Sequence, residues 1–192
     1  MSKENKSRYA LLGMLSLGPM TGYDLKKAIE ASIGYFWQEH YAQIYPMLKQ
    51  LTGEGLTTSL REEHEGKPDR HVYALTDKGR EELQRWLAGP VESRVLRHEL
   101  LLKLFFGKQV PLPVSIEHIQ QYRELQGQLL HSVEKTEAHI KEVAADNPNF
   151  PYWLIALSYG KHNAKAIIEW CDEALATLEQ SAGTELPQTT AH

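Results

Sequence analysis

Gln43, Tyr45 and Lys49 stand within one seven-residue stretch, interleaved with the apolar residues Ile44, Leu48 and, just beyond, Leu51. The apolar three fall at i, i+4 and i+7, which predicts a helix with one buried face and Met47 beside it. Ala42, Pro46 and Lys49 then face the opposite way, flanked by Gln43, Tyr45 and Gln50. A carboxamide on that outward face can bond base edges or phosphate, a phenol can stack on sugar or bond phosphate, and an ammonium neutralises phosphate charge. Such a set suits contact with a nucleic-acid duplex, and Tyr41 at the head of the segment is grouped with it. The plainer reading of the same residues is a solvated helix face.

The surrounding elements weigh between the two. Ser7 to Leu17 is dense in apolar residues and predicts a short buried helix that Gly18-Pro19 ends. Thr21-Gly22-Tyr23-Asp24 is a capping-box pattern, so a second helix starts there, with Leu25, Ala28, Ile29 and Ile33 as its stripe and Gly34 as its stop. Tyr23 and Lys27 on this helix are candidates for contact with a duplex backbone. Pro46 is expected near the start of the third helix, where the first four N–H groups lack an intrahelical partner, and Gly53 and Gly55 close that helix. Leu56, Thr58 and Leu60 alternate with Thr57, Ser59 and Arg61, and Tyr73 and Leu75 share one side of Arg70 to Leu75, so two half-buried strands are predicted. The charged, turn-rich residues 63–69 join them, which places Lys67 and Arg70 at a hairpin tip. Thr76 offers an N-cap for a helix around Lys78 to Leu87, and Gly89-Pro90 marks a boundary. Three helices followed by a hairpin is the order of a winged helix, in which the third helix enters the major groove and the hairpin reaches adjacent backbone or minor groove.

Beyond Pro90 the pattern predicts helices only, at about 94–108, 113–145 and 151–180. The middle one repeats its apolar residues at threes and fours, from Ile116 and Ile119 to Ile140 and Val143, as in a helix packed against a partner helix. The expected fold is therefore mainly α, an N-terminal winged helix-turn-helix followed by an all-helical dimerisation domain. Its divisions are a DNA-binding domain at 1–90, a dimerisation and effector-binding domain at 91–180 and a small, polar, disordered tail at 181–192. Charge follows the same division. Residues 1–80 carry eleven Lys plus Arg against ten Asp plus Glu, net +1, and the remainder ten against fifteen, net −5. The acidic second part suits protein or small-molecule contacts better than phosphate.

Other chemistries find little support. Cys171 is the single cysteine among 192 residues, which excludes an intramolecular disulfide and a multi-cysteine zinc site. His98-Glu99 is followed by Leu102 where a zinc helix motif would need its second histidine, and His131 and His139 are two turns apart, so the nine histidines read as surface or core residues and no metal is expected. No phosphate loop, dinucleotide fingerprint or nucleophile elbow occurs, so neither catalysis nor a cofactor is expected. No apolar run approaches the ~20 residues of a membrane span and no cleavage pattern follows the N-terminus, which points to a cytoplasmic chain with no membrane partner. Tyr152, Trp153, Tyr159, His162 and Trp170 make the last helix unusually aromatic, either as core or as a ligand pocket.

Several spaced motifs occur in order: Leu11-Leu12-Gly13, Gly22-Tyr23-Asp24-Leu25, Phe36-Trp37, Gln43-Ile44-Tyr45-Pro46 with Leu48 and Leu51, Glu54-Gly55-Leu56, and Tyr73 with Leu75-Thr76 and Gly79. Together they resemble a PadR-type transcriptional regulator of the longer subfamily, whose helical C-terminal domain is virulence-activator-like. The resemblance implies a homodimeric regulator, usually a repressor, on a palindromic double-stranded operator, released in some members by phenolic or other aromatic compounds. It suggests an effector cleft between reading head and dimerisation domain, with Phe36 and Trp37 on one side, Tyr152 and Trp153 on the other, and Tyr159 or His162 as polar partners. The competing reading is a winged-helix adaptor whose third helix binds protein and not DNA.

Overall fold

The computed structural model describes residues 6–37, 41–62, 70–91 and 97–184. The chain divides into two units, Met1–Ser93 and Arg94–His192. In the first, α1 (Ser7–Leu15), β1 (Met20–Thr21), α2 (Gly22–Ser32), α3 (Tyr41–Gly53), β2 (Thr57–Glu62), β3 (Arg70–Leu75) and α4 (Asp77–Leu87) follow in order. This is a winged helix-turn-helix. The capping box forms at the start of α2, where the Thr21 hydroxyl oxygen accepts from the Asp24 N–H at 3.1 Å and the Asp24 carboxylate accepts in return from the Thr21 N–H. Leu11 and Leu12 of α1, Leu25 and Ile29 of α2, and Ile44, Leu48 and Leu51 of α3 are almost wholly buried in one cluster. Each such side chain contributes about 1.5–3 kcal/mol on leaving water.

The wing is a three-stranded antiparallel sheet in the order β1-β3-β2. Met20 pairs with Tyr73 and Thr21 with Val72, so the chain entering α2 is tied to the hairpin. Two residues are too few to show alternation, and this strand is not visible in the periodicity. At the wing root, Thr76 caps α4 by accepting from the Gly79 N–H at 3.0 Å and donates to the Gly55 carbonyl at 2.8 Å. Gly55 adopts φ +74°, the left-handed conformation that ends α3 and that glycine takes without a side-chain clash.

In the first unit two expectations need correction. The inward residue of β2 is Thr57, 2% exposed and bonded to Thr52 at 3.0 Å, while Leu60 is 68% exposed. The parity is set by Leu56 closing the turn after α3 and not by the apolar residues of the strand. Pro46 lies inside α3, beyond its first turn, so its missing N–H removes a bond to the Ala42 carbonyl. Ala42 and Pro46 are both exposed, which leaves that carbonyl on the solvent side.

The second unit holds α5 (Glu99–Phe105), a 3₁₀ turn (Gly107–Gln109), α6 (Leu112–Val143) and α7 (Phe150–Thr184). The helix expected at 94–108 is thus shorter, and α7 continues four residues into the segment read as a tail; residues 185–192 of that tail lie outside the described residues. At 1.5 Å per residue the 32 residues of α6 span about 48 Å. It packs along α7 through Ile119, Val133, Leu157, Ala164 and Cys171, all buried. Arg123 clasps Asp172 through two bonds, Nε to Oδ1 at 2.6 Å and Nη2 to Oδ2 at 3.2 Å, and Glu137 bridges Lys141 and Lys161.

Candidate nucleic-acid interface

α3 presents the face read from its spacing. Ile44, Met47, Leu48 and Leu51 turn inward, and Ala42, Gln43, Tyr45, Pro46, Lys49 and Gln50 are exposed. Tyr45 is 41% exposed, and the hydroxyl end of its ring lies against Gly22 of α2. Gln50 donates to Glu54 at 2.8 Å, and Gln43, Tyr45 and Lys49 are the other exposed polar residues of this face. Tyr41 opens the helix, and its side chain lies outside the described residues.

Glu54 anchors the far end of α3. Its carboxyl is held below the ordinary carboxylate range first by the Gln50 amide, with the Arg8 guanidinium and the Lys78 ammonium adding to this against the opposing effect of burial. Lys78 also donates to the Glu54 carbonyl at 2.7 Å, so the end of α3 is fixed to the start of α4.

On α2, Tyr23 and Lys27 form a single feature. The Lys27 ammonium lies 4.6 Å from the centre of the Tyr23 ring, one helical turn away, and both side chains are exposed. The Tyr23 hydroxyl, by hydrogen bonding and charge, raises the Lys27 pKa above its ordinary value.

In the wing, Arg70 is exposed and opposes Glu62 at the last described rung of the ladder, beside the tip where the pattern placed it. Lys67 lies outside the described residues. Arg61, exposed and opposite His71, is a second wing cation, absent from the set expected from spacing. It shares the parity of the inward Thr57, so the strand alternation does not mark it as exposed.

The aromatic residues fall into two separate sets. Phe36 is exposed and Trp37 half-buried in the turn after α2, with the Phe36 ring edge-on to Tyr35 at 4.8 Å. In the second unit Tyr152, Tyr159 and His162 are exposed on one face of α7, with Ile155 between them, while Trp153 turns to a half-buried position on another side. His162 is bonded to the Ser158 carbonyl at 2.8 Å. Two cavities of the second unit, of about 610 and 430 Å³, are lined by other residues, among them Leu104, Lys108 and Ser115 in the larger and Arg97, His98 and Tyr122 in the smaller. Among the described residues no group of His, Cys, Asp and Glu is arranged to hold a metal ion, and no helix is long and apolar enough to cross a membrane.

Residues 11–85 match the transcriptional regulator PadR-like family, and residues 96–179 match the virulence activator alpha C-terminal domain. The chain belongs to the PadR-like family of transcriptional regulators. It is 30% identical over 179 residues to the negative transcriptional regulator PadR of Bacillus subtilis, a match covering 90% of this chain and 97% of the relative. A probable transcriptional regulator of Mycobacterium tuberculosis is 37% identical over 185 residues, with the same coverage. The structure of Bacillus subtilis PadR in complex with operator DNA superposes with a TM-score of 0.75 at 27% identity, covering 91% of this chain and 99% of that one. The same regulator in complex with p-coumaric acid gives 0.69 at 27% identity and the same coverage. The virulence activator AphA of Vibrio cholerae gives 0.72 at 27% identity, covering 91% and 98%. The chain is thus a PadR-like, DNA-binding transcriptional regulator with a winged-helix head, and its family acts on transcription rather than on a chemical substrate.

Proposed function

We propose that this regulator acts as a repressor, binding a palindromic operator as a homodimer and leaving it when a small aromatic acid binds. The observation that carries the DNA contact is the outward set Gln43, Tyr45 and Lys49 on a helix whose opposite face is locked into the core. Tyr23, Lys27 and Arg70 extend the same role to α2 and the wing, with Tyr41 and Lys67 assigned to it from sequence. Repression is favoured over activation by the negative regulator from Bacillus subtilis, related over nearly the whole chain.

Dimerisation is supported by the second unit. α5 has no fully buried residue although five of its seven residues are apolar, and Leu101, Leu102 and Phe105, with Phe106 directly after the helix, are exposed. A second copy is the simplest cover for such a surface, and obligate homodimer contacts commonly bury about 2,000 Å² or more. Two heads joined in this way reach half-sites about one helical turn, roughly 34–36 Å, apart.

The effector is assigned to Tyr152, Trp153, Tyr159 and His162 of the second unit; Phe36 and Trp37, expected from sequence to share the role, form a separate set in the first unit. The p-coumaric acid complex of the Bacillus subtilis relative supports the ligand class. To act as an inducer the acid must bind more tightly to the state that is misaligned for DNA, with a coupling of about 1–3 kcal/mol. The test is a duplex selected by the protein from a random-sequence pool, followed by gel shifts with and without phenolic acids. Enrichment of an inverted repeat, released by one of the acids, is expected. Enrichment of no sequence would favour the adaptor, and release that survives Trp153→Ala and His162→Ala together would move the effector elsewhere.

A further inference from the structure

We propose that Gly22 is a positioning residue for the DNA-reading face: its bare Cα seats the end of the Tyr45 ring and fixes where α3 holds that phenol. This rests on the assignment of α3 as the helix that contacts DNA. Gly22 is the first residue of α2, directly after the Thr21 cap, and it is buried although Tyr23 and Asp24 beside it are exposed. Its cover comes from the other helix. A Cβ built on Gly22 would lie 2.8 Å from Cε1, 2.9 Å from Cζ and 3.2 Å from the hydroxyl oxygen of Tyr45, and these are its three nearest atoms.

Backbone conformation does not account for a glycine here. Gly18 and Gly55 are the described glycines with positive φ, and Gly22 is not among them, so an L-residue fits its backbone. Alanine is moreover the better helix former. What glycine supplies at this position is room. The atoms in the way belong to the far end of a side chain that is 41% exposed, so a methyl group at residue 22 displaces the ring into solvent and leaves the packing of α2 on α3 in place. Gly79 shows the contrasting case, in which a Cβ would lie 2.0 Å from the Leu56 carbonyl oxygen and the backbone itself would have to move. The bare Cα therefore preorganises the Tyr45 phenol, and loss of that seat acts on recognition and not on folding.

The test uses the full chain carrying 3-fluorotyrosine and a duplex enriched by the wild-type protein from a random-sequence pool. The Tyr45 resonance, assigned among the nine tyrosines through Tyr45→Phe, reports on the ring without DNA. Gly22→Ala is expected to shift that resonance, keep the wild-type Tm or raise it, and weaken duplex binding about tenfold. In a Tyr45→Ala background the same substitution should have no further effect on binding. An unmoved resonance, a loss of folded signal in Gly22→Ala, or an equal loss of affinity in both backgrounds would each overturn the proposal. A resonance that moves while Tyr45→Ala binds the duplex normally would instead remove Tyr45 from the interface, and the positioning role would fall with the reading it rests on.

Discussion

The two units differ in what completes them. The first gathers Leu11, Leu12, Leu25, Ile29, Ile44, Leu48 and Leu51 around one centre, each at most about 1% exposed, and ties the wing to it by strand pairing and the Thr76 cap. The second is built from two helices of 32 and 35 residues whose buried residues form a single line, with a third helix, α5, in which Leu100 and Leu104 are only half-buried and no residue is fully buried. A centre closed on all sides is a property of one chain. A line of packing between long helices leaves most of each helix surface unmatched, and stability then depends on what else lies against it. The head is accordingly expected to unfold at a temperature independent of protein concentration, and the helical unit at one that rises with it.

Gly79→Ala should separate the units most sharply. The new methyl would drive into the Leu56 carbonyl, where β2 begins, so the head should lose about 3 kcal/mol or more while the helical transition is unchanged. Urea unfolding followed by near-UV signals from Trp86 in the head and Trp170 in α7 checks this, and a shift in both transitions would mean that the units fold as one. Truncation after Gly89 comes next. A head that retains its helical signal as a monomer, with duplex affinity lowered about 10²- to 10⁴-fold, is expected once the link between two readers is gone. A truncated chain that sediments as a dimer would place the dimer interface in the head.

A smaller effect distinguishes two exposed apolar residues. Phe105 in α5 is 82% exposed and Leu60 in the wing is 68% exposed. Phe105→Ser should weaken the dimer at least about tenfold in sedimentation, on the scale of burying one aromatic ring, while Leu60→Ser leaves it intact. Equal behaviour of the two would contradict the assignment of α5 to the interface. The smallest effects are those of pH. Glu54 in the head and Glu137 in the helical unit both have carboxyl pKa values lowered from 4.5, Glu54 by Gln50 and then Arg8, Glu137 by Lys141 and then Lys161. Each contribution is present above the unfolded value and is lost as pH falls through the lower, folded one. Thermal melts between pH 6 and 3 should therefore lose part of their acid dependence in the head for Glu54→Gln and in the helical unit for Glu137→Gln, with neither crossing over.

What could be read from spacing was what repeats. The stripe of α3, the Thr21-Asp24 box, the Thr76 cap and the long period of α6 each depend on residues a few positions apart, and each is found where its pattern lies. The failures depend on distant partners. β1 is a strand because Tyr73 and Val72 lie beside it, and Thr57 turns inward because Leu56 is already committed to the core. Pro46 sits deeper in α3 than first-turn tolerance explains. Among the aromatic residues, Tyr152, Tyr159 and His162 share a face because they recur at i, i+7 and i+10, whereas Phe36 and Trp37 belong to the other unit and no periodicity relates them. Gly22 carries no local signal at all, since its role depends on a ring that reaches it from another helix.

The central claim is that the outward face of α3 reads duplex DNA, and Lys49 tests it most directly because its charge is exposed there and the opposite face is sealed in the core. The measurement is the slope of log affinity against log salt concentration for wild type and Lys49→Ala, on the selected duplex and on a scrambled one. Removing the cation that neutralises one phosphate should reduce the slope by about one, hence by about two in a dimer, on both duplexes alike. Identical slopes for the two proteins, with unchanged affinity, would take α3 off the DNA.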